Sequence, residues 1–144
     1  MEKIATNRKA YFEYYIVEKL IAGVELKGSE VKSIRKGEVN ISEAYCLIDN
    51  GEMFLKNMHV SEHKQGGIHN NHEPLRTRKL LLKKKEILKL AEEVKLKGLT
   101  IVPLEIILTG FGYIKLEIGL AKGKKNYDKR ESIKQKDLKR ANEL

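Results

Sequence analysis

Ile114, Leu116, Ile118 and Leu120 alternate with Lys115 and Glu117, and a period of two is the spacing of a strand with one dry face and one wet face. Such a strand commits the chain to a sheet, and Lys115 should point away from its core. Other segments supply neighbours. Residues 10–27 are rich in aromatic and β-branched types (Tyr11, Phe12, Tyr14, Tyr15, Ile16, Val17, Val24) and read as one or two strands broken by Gly23. Residues 41–48 and 52–60 flank Asn50-Gly51, a strong hairpin signal. Residues 99–108 form an apolar β-type run in which Pro103 marks an edge strand or a bulge, and Gly110-Phe111-Gly112 reads as a turn.

Helical spacing is scarcer. Val31 and Ile34 share a face in the segment Gly28 to Gly37, with Ser29 as a candidate N-cap, so a short helix is expected there. Ile87, Leu90, Ala91 and Val94 repeat at i, i+3, i+4, i+7, the stripe of the longest expected helix, with Thr77 as its possible cap and Gly98 as its end. Residues 1–9 are polar and read as loose, and residues 61–75, with Gly66, Gly67 and Pro74, as a long flexible loop. Several strands and few helices in 144 residues give a mainly β domain over residues 1–123. An antiparallel barrel of the OB type with about three appended helices is the leading architecture.

Charge is unevenly placed. The chain carries a net +9, yet residues 76–89 alone hold +6 (Arg76, Arg78, Lys79, Lys83, Lys84, Lys85 and Lys89 against Glu86) and residues 122–144 hold +5, leaving −2 elsewhere. Two cationic blocks are the electrostatic footprint of a polyanion binder, because each phosphate contact releases condensed counterions. A solvated lysine-rich face is the plainer alternative. The second block has only Ile133, Leu138, Ala141 and Leu144 as scattered aliphatics, too few to offset an ordering cost of about 1–2 kcal/mol per residue. It reads as a basic tail, residues 124–144, that folds on meeting a polyanion. No run of about 18 apolar residues spans a bilayer, and the N-terminus has no apolar stretch of a secretory signal. With Cys46 as the single cysteine, these features fit a cytoplasmic chain without disulfides.

Catalytic readings are weak. His59, His63, His69 and His72 fall close together, but a zinc site needs three or four convergent ligands and no third partner is evident. Gly119, Gly123 and Lys124 resemble a phosphate loop with three intervening residues where four are needed, and Lys125 follows where Ser or Thr should. Cys46 sits in a predicted strand and packs as a small hydrophobe. No catalytic residue, metal or cofactor is assigned.

The strings NRKAYFEY (Asn7 to Tyr14), AGVELKGSEVKSIRKGEVNI (Ala22 to Ile41), PLRTRKLLL (Pro74 to Leu82), VPL (Val102 to Leu104) and GLAKGKKNYDKR (Gly119 to Arg130) resemble the SsrA-binding, or small protein B, family in the family's own order. The resemblance implies an OB-type barrel that binds transfer-messenger RNA, as a monomer, and delivers it to bacterial ribosomes stalled without a usable stop codon. It implies RNA contacts at Asn7, Arg8, Lys9, Leu81 and Lys115, beside the cationic Arg76, Arg78, Lys79 and Lys83. It further implies that Gly123, Lys124, Lys125, Tyr127, Asp128, Lys129 and Arg130 occupy the decoding centre. The tail cations Lys134, Lys136, Lys139 and Arg140 would follow as a helix in the empty messenger channel. The chain departs from the family at Ile21, where a glutamate linked to RNA binding is common, and at Ile107-Leu108, where an aromatic pair is usual. A general ribosomal-RNA-binding OB protein is the competing reading, and metal-dependent hydrolysis through the histidine loop is a third.

Overall fold

The computed structural model describes residues 2–62 and 71–142, the stretch 137–142 as backbone alone. Seven strands form one sheet in the order β1-β8-β9-β2-β7-β5-β4, and a two-stranded ribbon pairs β3 with β6. The elements in chain order are β1 (Glu2–Thr6), α1 (Arg8–Glu13), β2 (Tyr14–Val24), α2 (Gly28–Arg35), β3 (Val39–Asn40), β4 (Tyr45–Asp49), β5 (Glu52–Lys56), β6 (His59–Val60), β7 (Arg78–Leu81), α3 (Lys84–Lys97), β8 (Thr100–Leu108), β9 (Ile114–Gly123) and α4 (Asn126–Asn142). Every ladder is antiparallel. β4 also comes against β8, so the sheet curls back on itself, though no ladder closes it among the described residues. The protein is thus mainly antiparallel β, with four helices among the described residues: three beside the sheet and the tail helix α4.

The alternation over 114–120 is that of β9: Ile114, Leu116, Ile118 and Leu120 are buried while Lys115 and Glu117 are half-exposed. Asn50 and Gly51 both take positive φ (54° and 77°), the geometry of a two-residue turn that follows strand twist, and β4 and β5 pair across it from Asp49 and Glu52 outward. Pro103 makes a bulge: the β8–β9 register shifts between Pro103 and Glu105. β8 is central, however, and not an edge. Its proline is tolerated because the β1 ladder ends at Thr6 opposite Glu105, so no strand asks Pro103 for the N–H it lacks.

Four expectations are overturned. Residues 1–9 are not loose: β1 lies along β8, and Asn7 caps α1 by accepting from the Ala10 N–H at 3.1 Å. The basic segment after Pro74 does not open a helix at Thr77. Arg78 and Leu80 are buried while Lys79 and Leu81 face outward, a period of two that makes β7. The helix starts only at Lys84 and ends at Gly98 in the left-handed region (φ 65°). The longest helix is therefore α4, the tail, with 17 residues against 14 in α3. α2 forms as expected, but Lys27 occupies its N-cap position. Ser29 instead hydrogen-bonds His72 at 2.8 Å.

The main core is lined by Ile34 of α2, Ile87 and Leu90 of α3, and Met53, Leu55, Leu80, Leu116 and Ile118 of the sheet. On the sheet's other face a smaller cluster of Ala10, Val102, Leu104 and Ala121 seats α1. A buried ion cluster joins these parts. Glu30 of α2 is fully buried and takes Arg78 Nε at 2.5 Å and Arg76 Nη2 at 2.6 Å. Its Oε1 also accepts from the Lys27 N–H at 2.8 Å. Arg78, itself fully buried, donates onward to the carbonyls of Met58 (2.6 Å) and Pro74 (3.2 Å). Burial pushes the Glu30 carboxyl upward, but the bonds from Arg76, Lys27 and Arg78 together outweigh it and hold the group below its ordinary value of 4.5.

Removing one member of this cluster leaves a buried charge without its partner. Glu30→Ala is expected to destabilise the protein by about 3–5 kcal/mol at neutral pH, read as a lower urea midpoint; a change below 1 kcal/mol would show the cluster to be incidental. Because the folded-state carboxyl lies below its unfolded value, its contribution is present above about pH 4.5 and is lost as pH falls through the folded value. Urea midpoints of the wild type should therefore fall more steeply between about pH 5 and pH 3 than those of Glu30→Gln. Parallel profiles would contradict this.

Candidate nucleic-acid interface

Strand register assembles the first group of candidates. Gly23 of β2 opposes Leu81 of β7 on one side and Lys115 of β9 on the other. Leu81, Gly23 and Lys115 thus form one row across the outward face of the sheet. Lys79 stands two residues from Leu81 on the same face, and Ile21 stands two from Gly23, opposite Glu117. Gly23 lets the row close up, since a Cβ there would sit 3.2 Å from Leu81 Cβ. Leu81 remains 48% exposed and Ile21 43%, so a sheet face with its back to the core presents two aliphatic side chains beside cations. Ile21 brings no carboxylate to this face.

The cations differ in availability. Lys79 pairs with Glu52 at 2.9 Å and Lys89 with Glu18 at 3.3 Å. Lys83, Lys84, Lys85 and Lys115 have no acid within ion-pair distance among the described residues. Lys83 to Lys85 also crowd the start of α3, the positive end of the helix dipole, where each cation costs about 0.3–1 kcal/mol. Glu86, reaching back to the Lys83 N–H at 3.0 Å, offsets part of that.

Three expected contacts are redirected. Arg78 is sealed inside, bound to Glu30, Met58 and Pro74, and offers no donor to a phosphate. Arg76 is partly exposed but donates to Glu30 and to the Glu25 carbonyl (3.2 Å). Asn7 is buried: its amide nitrogen donates to the Pro103 carbonyl at 2.9 Å while its oxygen caps α1. These residues build the surface that others present. Arg8 and Lys9 do stand outward on α1, Lys9 paired with Glu43 at 3.1 Å. They lie at the Tyr14 end of β2, nine residues from Gly23 and so roughly 30 Å along the strand. The sheet thus carries two separate cationic ends.

The second end joins the tail. The Lys124 N–H donates to the Glu13 carbonyl at 2.8 Å, and its ammonium reaches the Tyr11 carbonyl (3.4 Å) and Ser132 Oγ (2.9 Å) while lying 5.0 Å over the Tyr15 ring. Asp128 accepts from the Lys125 N–H at 3.2 Å, closing the first turn of α4. Partial burial and a hydrogen bond to Asp128 raise the Tyr15 hydroxyl above its ordinary value. Lys124 is thus turned inward and anchors the helix. Lys125, Tyr127 (63% exposed), Arg130, Lys134 and Lys136 face solvent, and Lys129 is half-exposed. Gly123 ends β9 with open space around it. Lys139 and Arg140 lie in the backbone-only stretch.

Among the described residues, the candidates for metal and nucleotide chemistry are engaged in the fold itself. His72 is buried between Ser29 Oγ (2.8 Å) and the Val60 carbonyl (2.9 Å). A carbonyl only accepts, so Nε2 carries a proton, while Nδ1 shares a hydrogen bond with the Ser29 hydroxyl. His63 and His69 lie outside the described residues, and among those described no cluster of metal-ligating side chains occurs. Gly119 is packed inside β9, where an added Cβ would meet Leu104 Cδ1 at 2.8 Å, so it opens no phosphate loop. Burial pushes the Cys46 thiol up to about 12, which leaves it unreactive at neutral pH. No described helix is long and apolar enough to cross a membrane.

Sequence reasoning missed Phe111 and Tyr113, which stand exposed at the β8–β9 turn, and the anchoring role of Lys124. The period-two alternation over Arg78 to Leu81 was the available signal that Arg78 points inward.

Residues 4–143 match the family described as SmpB protein. An SsrA-binding protein of Prochlorococcus marinus (strain MIT 9515) is 55% identical over 139 residues, covering 96% of this chain and 84% of its own. That of Carboxydothermus hydrogenoformans is 55% identical over 141 residues, covering 97% and 93%. A solved chain from the structure described as "tmRNA-SmpB: a journey to the center of the bacterial ribosome" superposes with a TM-score of 0.69 at 40% identity, over 90% of this chain and 93% of that one. On these grounds the chain belongs to the SmpB protein family.

Proposed function

We propose that this protein binds transfer-messenger RNA and carries it to stalled ribosomes, acting in the cytoplasm as a monomer and without catalysis of its own. The observation that carries this reading is the match over residues 4–143, shared with relatives named SsrA-binding protein at 55% identity. The geometry supports it. The outward row of Leu81, Gly23 and Lys115, with Lys83 to Lys85 beside it, offers phosphate donors next to apolar surface, the combination that suits a folded RNA with accessible bases. Arg8 and Lys9 at the other end of β2 serve a separate backbone contact, positioned by Asn7. Arg76 and Arg78 act through Glu30, holding the sheet that presents Lys79, Leu81 and Lys83.

The tail is a second working part. Residues 124–144 enter the decoding centre and the empty messenger channel. Tyr127 stacks there on a ribosomal base, a contact worth about 1–3 kcal/mol, and Lys125, Lys129, Arg130, Lys134, Lys136, Lys139 and Arg140 meet phosphates. Gly123 and Lys124 set the direction of departure, and Asp128 closes the first turn. A helix polar on all sides buries little of its own, so the free tail melts readily and phosphate neutralisation completes it on the ribosome. A channel already filled by messenger excludes it, which restricts action to stalled ribosomes.

Truncation after Gly123 is expected to leave affinity for transfer-messenger RNA within about threefold while abolishing tagging of stalled chains. Equal loss of both would remove the division of labour. Lys115→Ala should weaken RNA binding uniformly and lower the slope of log K against log salt by about one, measured by filter binding at several salt concentrations. Equal affinity for ribosomal-RNA fragments in competition would favour a general RNA binder instead.

A further inference from the structure

The β8–β9 turn carries two large side chains with no use inside the fold. Phe111 is 91% exposed and Tyr113 67%. The turn is well defined: Thr109 N–H donates to the Tyr113 carbonyl at 2.8 Å, Gly112 N–H to the Thr109 carbonyl at 3.0 Å, and Tyr113 N–H to Thr109 Oγ1 at 3.1 Å. Arg35, in the last turn of α2, donates from Nη2 to the Gly112 carbonyl at 2.8 Å, and a Cβ on Gly112 (φ 83°) would come within 3.2 Å of that nitrogen. A guanidinium is therefore fixed at the base of the tip, with Lys36 following it at the end of α2. Tyr113 continues the outward alternation of β9 into Lys115 and hence into the row with Gly23 and Leu81. Glu2, opposite Leu108, is the acid that register sets at this end of β8.

A tightly bonded turn that keeps a phenyl ring in water forgoes its burial. Aromatic faces interleaved with cations on a surface continuous with a phosphate-binding row are the composition of a platform for nucleobases. We propose that Phe111 and Tyr113 stack unpaired bases of the RNA held by this sheet, with Arg35 and Lys115 on the adjoining phosphates. The proposal rests on the RNA-binding reading above and extends that surface by a base-contacting end.

Filter binding of a transcript of the transfer-RNA-like part of transfer-messenger RNA tests it. Phe111→Ala and Tyr113→Ala should each weaken binding about tenfold, at the lower part of the range for a lost base stack. The slope of log K against log salt should be unchanged, since no phosphate contact is lost. Tyr113→Phe, which keeps the ring, should bind like the wild type. Both positions are exposed, so melting temperatures should not move. If both alanine variants bind with wild-type affinity while Lys115→Ala weakens binding, the stacking platform is wrong and the RNA-binding reading stands. If RNA binding is intact but the alanine variants lose association with ribosomes, the tip meets a ribosomal component and the proposal is likewise overturned. A wild-type protein that fails to bind the transcript would remove both.

Discussion

Glu30 is the group on which the arrangement of this molecule turns. One carboxylate in the interior receives two guanidinium groups and a backbone N–H, and through Arg78 it reaches the carbonyls of Met58 and Pro74. It thereby ties α2, β7, the stretch before β7 and the end of the β5 region to one point. A buried pair of this kind gives little net stability against a well-packed apolar alternative. Its consequence is geometric: the direction of α2, and with it Arg35 at the β8–β9 turn, is set by the same contacts that fix the register of β7.

Charge in this protein is divided between holding and presenting. Arg76, Arg78, Asn7 and Lys124 spend their polar groups on the chain itself. Lys83, Lys84, Lys85, Lys115 and the outward cations of α4 make no ion pair among the described residues. A count of basic residues treats both classes alike, so the net +9 overstates what is free to meet a polyanion. The roughly 30 Å between the two cationic ends of β2 exceeds the Debye length of about 8 Å at physiological salt, so one strand serves two surfaces with little repulsion between them.

Much of the sheet was legible because its patterns are local. The alternation of β9, the Asn50-Gly51 turn and the bulge at Pro103 each follow from a few adjacent residues. What escaped is what depends on distant partners. β1 is short and polar in composition, and only β8 beside it makes Glu2–Thr6 a strand. Arg78 reads as a surface cation until Glu30, 48 residues away, is placed next to it. The family resemblance named Leu81 and Lys115 together, and the ladders through Gly23 set those two in one row. His72 belongs among the core residues because Ser29 and Val60 receive it, which no spacing of histidines could have told.

Lys124 grips the body through its N–H, its ammonium and a ring face, two residues before α4 begins. In its helical form the 17-residue α4 is then a ruler of about 26 Å with a fixed zero mark. Length and phase are coupled in such a device. One residue inserted directly after Asn126, within the helix, would advance every residue beyond it by about 1.5 Å and rotate it by about 100° about the axis. The compass bearing of Tyr127 and Arg130 is therefore written in the number of residues that separate them from the strand.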